Sequence, residues 1–266
     1  AKRADQKDKE VVVTETGRDR ISEALRIVRS NLDFILPKHT GVGAVLQTTS
    51  TIASEGKSFI ALNLALASAH AGKKVICVDL DLRKGRFSEY VNIKNVGVGV
   101  SAYLAEKIEN IQDIIIPSSL SKNLHFISVG AIPPNPTSLL MNERLETLVN
   151  TLKQQYDYVI LDSVPFGLIA DAALINRYVD VTLYVIREGY IDVRYLEELQ
   201  KMNDNKKVKN LAILLNDVKN NHSVYGYGYG YGYGYGYGYG YGYGSETNES
   251  EQGEPSKKGF FRRKKN

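Results

Sequence analysis

The 266 residues, 43% hydrophobic and 24% charged, can bury one sizeable core, which predicts a single globular domain with tails. One cysteine and four histidines exclude a disulfide framework or a Cys/His metal cluster, and Cys77, inside the apolar run VICVD, reads as a core thiol suited to a reducing compartment. No apolar run of 18 residues and no signal peptide is seen, and the net charge of +4 lacks the domain-wide basic bias of a nucleic-acid binder, since +2 of it falls from Tyr225 onward.

Residues 1–10 are charged without apolar periodicity and read as a linker or disordered lead. From Arg20, ISEALRIVRSNLDFIL repeats apolar residues at Ile21, Leu25, Val28, Leu32 and Ile35, one face of a helix. On another face stand Glu23, Arg26 and Arg29, which by pattern alone form a solvated surface with weak internal ion pairs.

A buried strand over 44–49, a loop, and an apolar helix over 58–71 follow. Phosphate binds where such a loop meets a helix N-terminus, because free backbone N–H groups and the helix dipole attract anions. Against the pattern G-x-x-x-x-G-K-[ST], the loop keeps Gly56, Lys57 and Ser58 but has Thr51 in place of the first glycine. Lys57 supplies a mobile charge and Ser58 a hydroxyl for magnesium; the competing reading is a helix capped by Ser54 with an exposed lysine. A second strand, 74–81, ends in Asp79 and Asp81, which strand alternation places on one side, with a magnesium ion or Arg83 and Lys84 to balance them.

The middle predicts a helical piece at 100–105, a strand at 124–129 and a proline-fixed loop, AIPPNPTSLL, ending in a helix start at Thr137 or Ser138. Then come helix 142–155, strand 158–162 ending in Asp162, helix 171–178, strand 181–186, helix 192–203 and strand 211–216. This alternation means a mostly parallel sheet covered on both faces.

TSTIASEGKSFIALNLA, VICVDLDLRKG, AIPPNPTSLL, YDYVILDSVPFGLIADA, the strand ending in Asn216 and the helix with Glu23, Arg26 and Arg29 resemble, in matching order over residues 11–218, the bacterial tyrosine kinases of polysaccharide export. The resemblance implies a P-loop NTPase of the deviant Walker class, like the partition and division-site ATPases, with residues 1–19 as a lead, 20–218 as the kinase domain and 219–266 as a tail. It implies Mg-ATP as cofactor, with Lys57 on the β- and γ-phosphates. Ser58, Asp79 and Asp162 would serve the metal, and Asp79 or Asp81 would take the tyrosine proton. Thr51, Ser54, Glu55, Gly56, Lys57, Ser58 and Phe59 form the nucleotide loop, Asn216 contacts adenine, and Glu23, Arg26 and Arg29 close a ring of subunits. Three positions depart from the family: Ser54 replaces a usual glycine, Val164 the first of two prolines, and Gly85 a proline. If position 54 needs a positive φ, a serine there carries strain.

Residues 225–244 are ten Tyr-Gly pairs, which cannot bury a core and are expected to be flexible and exposed. Beside a kinase domain, Tyr225, Tyr227, Tyr229, Tyr231, Tyr233, Tyr235, Tyr237, Tyr239, Tyr241 and Tyr243 read as phosphoacceptors of an adjacent subunit; without one, the repeat reads as a self-associating aromatic segment. Full modification would add roughly −15 to −20 charges, enough to repel neighbouring subunits and open a ring. The six cations around Phe260 and Phe261 suit anionic lipid, plain solvation, or pairing with phosphorylated tyrosines. The family resemblance further implies a membrane chain-length regulator, fused or separate, a tyrosine phosphatase and polysaccharide export machinery as partners, at the cytoplasmic face of a bacterial membrane. The start at Ala1 and the charged lead are read as a fragment of the fused kind. The rival functions are a partition-type ATPase switch and a degenerate nucleotide-binding scaffold.

Overall fold

The structure, a computed structural model, describes residues 11–36, 41–85, 87–90, 97–166 and 170–219. The chain divides into two compact units, Ala1–Asn220 and Asn221–Asn266, and the second lies wholly outside the described residues, as does the expectation of a flexible Tyr-Gly tail.

The elements run α1 (Arg20–Ile35), β1 (Ala44–Ser50), α2 (Lys57–His70), β2 (Val75–Asp79), α3 (Phe87–Tyr90), α4 (Val100–Leu104), a 3-10 turn (Ile111–Ile114) and β3 (Ile116–Pro117). They continue with β4 (Leu124–Ile127), α5 (Pro136–Leu140), α6 (Arg144–Gln155), β5 (Tyr158–Asp162), α7 (Asp171–Asn176), β6 (Val181–Arg187), α8 (Arg194–Asp204) and β7 (Leu211–Asn216). One seven-stranded sheet has the order β3-β4-β2-β5-β1-β6-β7, parallel except for β3, which pairs antiparallel with β4 at one edge. The mostly parallel sheet with helices on both faces is therefore as expected.

Strand alternation sorts the core into two layers. Leu46, Cys77, Phe126, Ile160 and Leu183 face α1 and α2, while Val45, Val78, Ile127 and Leu161 face the layer of α4 and α6. Cys77 is fully buried, in agreement with its reading as a core thiol, and burial first of all pushes its pKa well up. A smaller cluster of Tyr184, Ile186 and Leu199 seats α8 over β6.

The apolar stripe of α1 docks through Leu25 and Leu32, each contributing about 1.5–3 kcal/mol, while Ile21 and Ile35 stay about half exposed. Asp19 caps the helix, its carboxylate accepting from the N–H groups of Ile21 and Ser22, both at 3.0 Å. Ahead of α1, the N–H groups of Val12 and Val13 donate to the buried Asn63 Oδ1 of α2 at 2.9 and 3.2 Å. Residues 11–13, counted with the lead by the sequence, are thus strapped to the helix that follows the phosphate loop.

Candidate active site

In a parallel sheet the crevice lies beyond the carboxyl ends of the strands, and β1, β2, β5 and β7 deliver the predicted residues there. The loop after β1 turns into α2 through Gly56, which stands at the N-cap with φ 98° and no side-chain cap. A Cβ on Gly56 would lie 2.2 Å from Asn216 Nδ2, so glycine is required by both φ and space. Ser54 is not the cap; it sits at φ 68°, the positive-φ conformation for which a serine is strained. The first-turn N–H groups of α2 have no intrahelical acceptors and form the anion seat.

Asp79 and Asp162 are register partners on adjacent strands, both buried. Burial, then the charge of Asp162, pushes Asp79 well above the usual carboxylate range, although Asp79 accepts from the N–H groups of Asp81 at 3.0 Å and Phe87 at 3.2 Å. Burial also raises Asp162 to about 6, against the pull of Lys57 and hydrogen bonds from the hydroxyls of Ser58 and Thr48. Strand alternation does not set the position of Asp81, contrary to expectation. β2 ends at Asp79, and Asp81 lies in the following turn, its Oδ1 accepting from the N–H groups of Arg83 and Lys84 at 3.3 and 3.1 Å. The turn, rather than the strand, brings both carboxylates to the same cleft.

That cleft, about 390 Å³, is lined by Ser54, Gly56, Lys57, Ser58, Phe59, Asp79, Asp81 and Asp162, together with Arg83 and Lys84. It shares Ser54, Gly56 and Phe59 with a wider, more apolar cavity of about 680 Å³ between α1 and the end of β7, which includes Ile21, Leu25, Arg187 and Asn216. The phosphate end and a base-sized end are therefore continuous, and Asn216 sits at the latter. Another cavity of about 680 Å³, at the opposite ends of the strands near Lys73, Lys74 and Lys153, contains none of the predicted site residues.

Two predicted loop residues do not present side chains to the cleft. Thr51 is buried, its hydroxyl accepting from the Tyr184 phenol at 3.3 Å. Glu55 is also buried; its carboxylate accepts from the N–H groups of Ile52 at 2.7 Å and Arg187 at 3.4 Å, while its carbonyl accepts from Asn216 Nδ2 at 2.9 Å. Glu55 thus braces the loop against β6 and β7. Glu23 and Arg26 pair with each other on α1, and Arg29 pairs with Asp33 at 3.4 Å, both arrangements internal to one chain.

The sequence reading missed the anchorage of Arg83. Its Nε donates to the buried Asp171 Oδ2 at 2.8 Å and its Nη2 to Thr137 Oγ1 at 3.1 Å, while Thr137 donates to Asp171 Oδ1 at 2.7 Å. An acidic residue closing a loop at a helix start was the available signal.

The donor set fits magnesium: hard oxygens from the buried carboxylates, whose mutual repulsion a cation would relieve, beside the Ser58 hydroxyl. Among the described residues no group of three or more His, Cys, Asp or Glu forms a metal cage.

This strand, loop and helix, with carboxylates at the adjacent strand ends, define a P-loop nucleotide-binding protein, and residues 53–213 match the family described as "AAA domain". The chain is 39% identical over 186 residues to a putative tyrosine-protein kinase in the cps region of Klebsiella pneumoniae, covering 70% of this chain and a quarter (25%) of that protein's length. It is 32% identical over 204 residues to the tyrosine-protein kinase CpsD of Streptococcus agalactiae, covering 77% and 85%. The solved kinase domain of the Escherichia coli tyrosine kinase ETK superposes with a TM-score of 0.70 at 30% identity, covering 80% and 82%. The septum site-determining protein MinD of Pyrococcus horikoshii, complexed with Mg-ADP, shares the fold at a TM-score of 0.55 and 20% identity, covering 65% and 70%. The chain belongs to the bacterial tyrosine-protein kinases.

Proposed function

We propose that the chain transfers the γ-phosphoryl group of Mg-ATP to the tyrosines of residues 225–244 on a neighbouring copy within a ring. The buried Asp79–Asp162 pair facing Lys57 and Ser58 carries this reading, because phosphoryl transfer needs positioned charge more than covalent help. In the transfer the bond from the γ-phosphorus to ADP breaks, the bond to the tyrosine oxygen forms, and the phenol proton passes to Asp79 or Asp81. Asp79, its proton affinity raised by burial, is the stronger base; Asp81, half buried in the same cleft, is the more accessible. Lys57 orients the phosphates, and magnesium, when bound, neutralises the charge that spreads over them.

Glu23, Arg26 and Arg29 on α1 would meet the next subunit by exchanging their internal pairs for external ones. Accumulated phosphate would then drive the copies apart. One relative is named as a kinase in a cps region, which supports a role in surface polysaccharide export; the reading adds a chain-length regulator and a phosphatase as partners at the cytoplasmic face of a membrane. Among the described residues no helix is long and apolar enough to cross a membrane.

The test is phosphosite mapping after phosphatase treatment and incubation with Mg-ATP, beside Lys57→Met. Phosphate on tyrosines 225–243 only in the unaltered protein is expected. ATP hydrolysis without phosphotyrosine would replace the kinase with an ATPase switch, and loss of ATP binding altogether with a scaffold.

A further inference from the structure

Beside the catalytic cleft lies a groove of about 470 Å³ between α4 and the 131–139 segment, lined by Gly97, Ala102, Ala105, Ile132, Pro134 and Ser138 among others. Its floor is backbone packed on backbone. The N–H groups of Val100 and Ser101 donate to the carbonyls of Ser128 and Val129 at 2.8 and 3.0 Å. A Cβ on Gly99 would lie 2.3 Å from the Ser128 carbonyl oxygen, so the crossing admits only glycine, and the Ser101 hydroxyl donates to the Ala131 carbonyl at 2.6 Å. Above this floor Ala102 and Ala105 leave room between the larger Lys107, Ile132 and Leu139, and a Cβ at Gly97 would meet nothing within 4 Å. Groove and cleft have separate linings, linked by side-chain contacts. Ile132 reaches Gly85, where an added Cβ would be 2.9 Å from its Cδ1, and Thr137, next to Ser138, holds Arg83 of the cleft.

We propose that this groove seats the tyrosine two residues from the acceptor in the Tyr-Gly repeat of a second copy, so that the enzyme reads Tyr-x-Tyr spacing. The inference rests on the kinase reading above and names how its acceptor is recognised. In an extended chain, residues i and i+2 project to the same side about 6.6–7 Å apart, and glycine between them lets the backbone lie close to the surface. While one phenol points into the cleft, the next therefore falls on the same side, over the adjoining groove. An apolar ring with a polar tip matches the Ile132 and Pro134 walls and the Ser138 and Asn135 side chains.

The second copy is the neighbour of the transfer proposed above. The body's last described residues leave β7, five strand spacings from β4, or about 24 Å across the sheet, whereas the groove adjoins the loop after β4. The six residues from Lys219 to Tyr225 span at most about 21 Å, so Tyr225 falls short of that distance, while the later tyrosines of the repeat have chain length enough to cover it. Head-to-tail association, in which two different edges meet, brings the tail of one copy to the groove of the next.

The test uses the full chain, Mg-ATP and two acceptor peptides, Gly-Phe-Gly-Tyr-Gly-Phe-Gly and Gly-Ala-Gly-Tyr-Gly-Ala-Gly, whose flanking residues cannot be phosphorylated. The Phe-flanked peptide should have a kcat/KM about tenfold higher, in line with burial of an aromatic side chain. Ala105→Phe, at an exposed position, and Gly97→Leu fill the groove. Each should bring the preference close to unity while the Ala-flanked peptide and ATP hydrolysis keep their rates. Equal rates for the two peptides on the unaltered protein, or a preference that survives in both variants, would overturn the groove assignment. ATP hydrolysis with no phosphate on either peptide or on tyrosines 225–243 would overturn the kinase reading instead.

Discussion

Replacing Asp162 with Asn should flatten the pH dependence of stability. The folded chain holds the Asp162 proton up to about 6, against 3.8 for an ordinary carboxyl, so between these values the folded state binds more protons than the unfolded one. The contribution to stability is complete below the lower value and is lost as pH rises through the upper one. A shift of about two units corresponds to about 3 kcal/mol in all, of which the interval from pH 5 to pH 7 takes about 1.3 kcal/mol. Asp79, raised by burial and by the charge of Asp162, acts with the same sign. Urea unfolding at pH 5, 6 and 7, in EDTA and without nucleotide, reads this directly as a falling midpoint at constant slope. The unaltered protein should lose about 1 kcal/mol more than Asp162→Asn between pH 5 and pH 7. Equal losses, or a greater loss in the variant, would refute the claim that this carboxylate is held protonated by burial. Tyrosine phosphorylation should run the other way, rising with pH, because the metal needs the ionised form, and added magnesium should move that rise to lower pH.

Ser54→Gly removes a serine from φ 68° and should gain about 0.5–1 kcal/mol, seen as a rise of a few degrees in melting temperature, with tighter ATP binding by calorimetry. Asn63→Ala leaves the N–H groups of Val12 and Val13 without their acceptor and should cost about 2–4 kcal/mol in urea unfolding, with faster proteolysis ahead of α1. Asp171→Asn frees Arg83 from its buried partner; phosphorylation should fall at least about tenfold while ATP binding, measured by calorimetry, is unchanged.

The sheet was legible because its central strands are continuous apolar runs, and the phosphate loop because Gly56, Lys57 and Ser58 stand between a buried strand and an apolar helix. β3 escaped because it is a two-residue edge strand whose pairing depends on β4 rather than on local pattern. The helix bounds moved by up to two residues, as with α8, predicted over 192–203 and found at Arg194–Asp204. Contacts between distant segments were beyond local pattern. Asp171 lies 88 residues from Arg83, and although its place at a helix start marked it, nothing in ADAA names its partner. Asn63 was a missed opportunity, since a lone amide in FIALNLALA must find partners once buried. Glu55 was read as part of the nucleotide loop, and its buried carboxylate turns toward Ile52 and Arg187, a contact local pattern does not show.

The grip of Asn216 on the Glu55 carbonyl has a consequence for how the protein opens. Among the described residues β7 pairs only with β6, at the margin of the sheet, and Ile213 and Leu215 remain 58% and 54% exposed. Such a strand is the natural first element to peel away in a local fluctuation. When it does, the base-sized cavity loses a wall and the phosphate loop loses a tie in the same event. A nucleotide spanning both ends of the cleft therefore latches the margin of the sheet, and amide exchange along β7 becomes a gauge of occupancy at a loop more than 150 residues earlier in the chain.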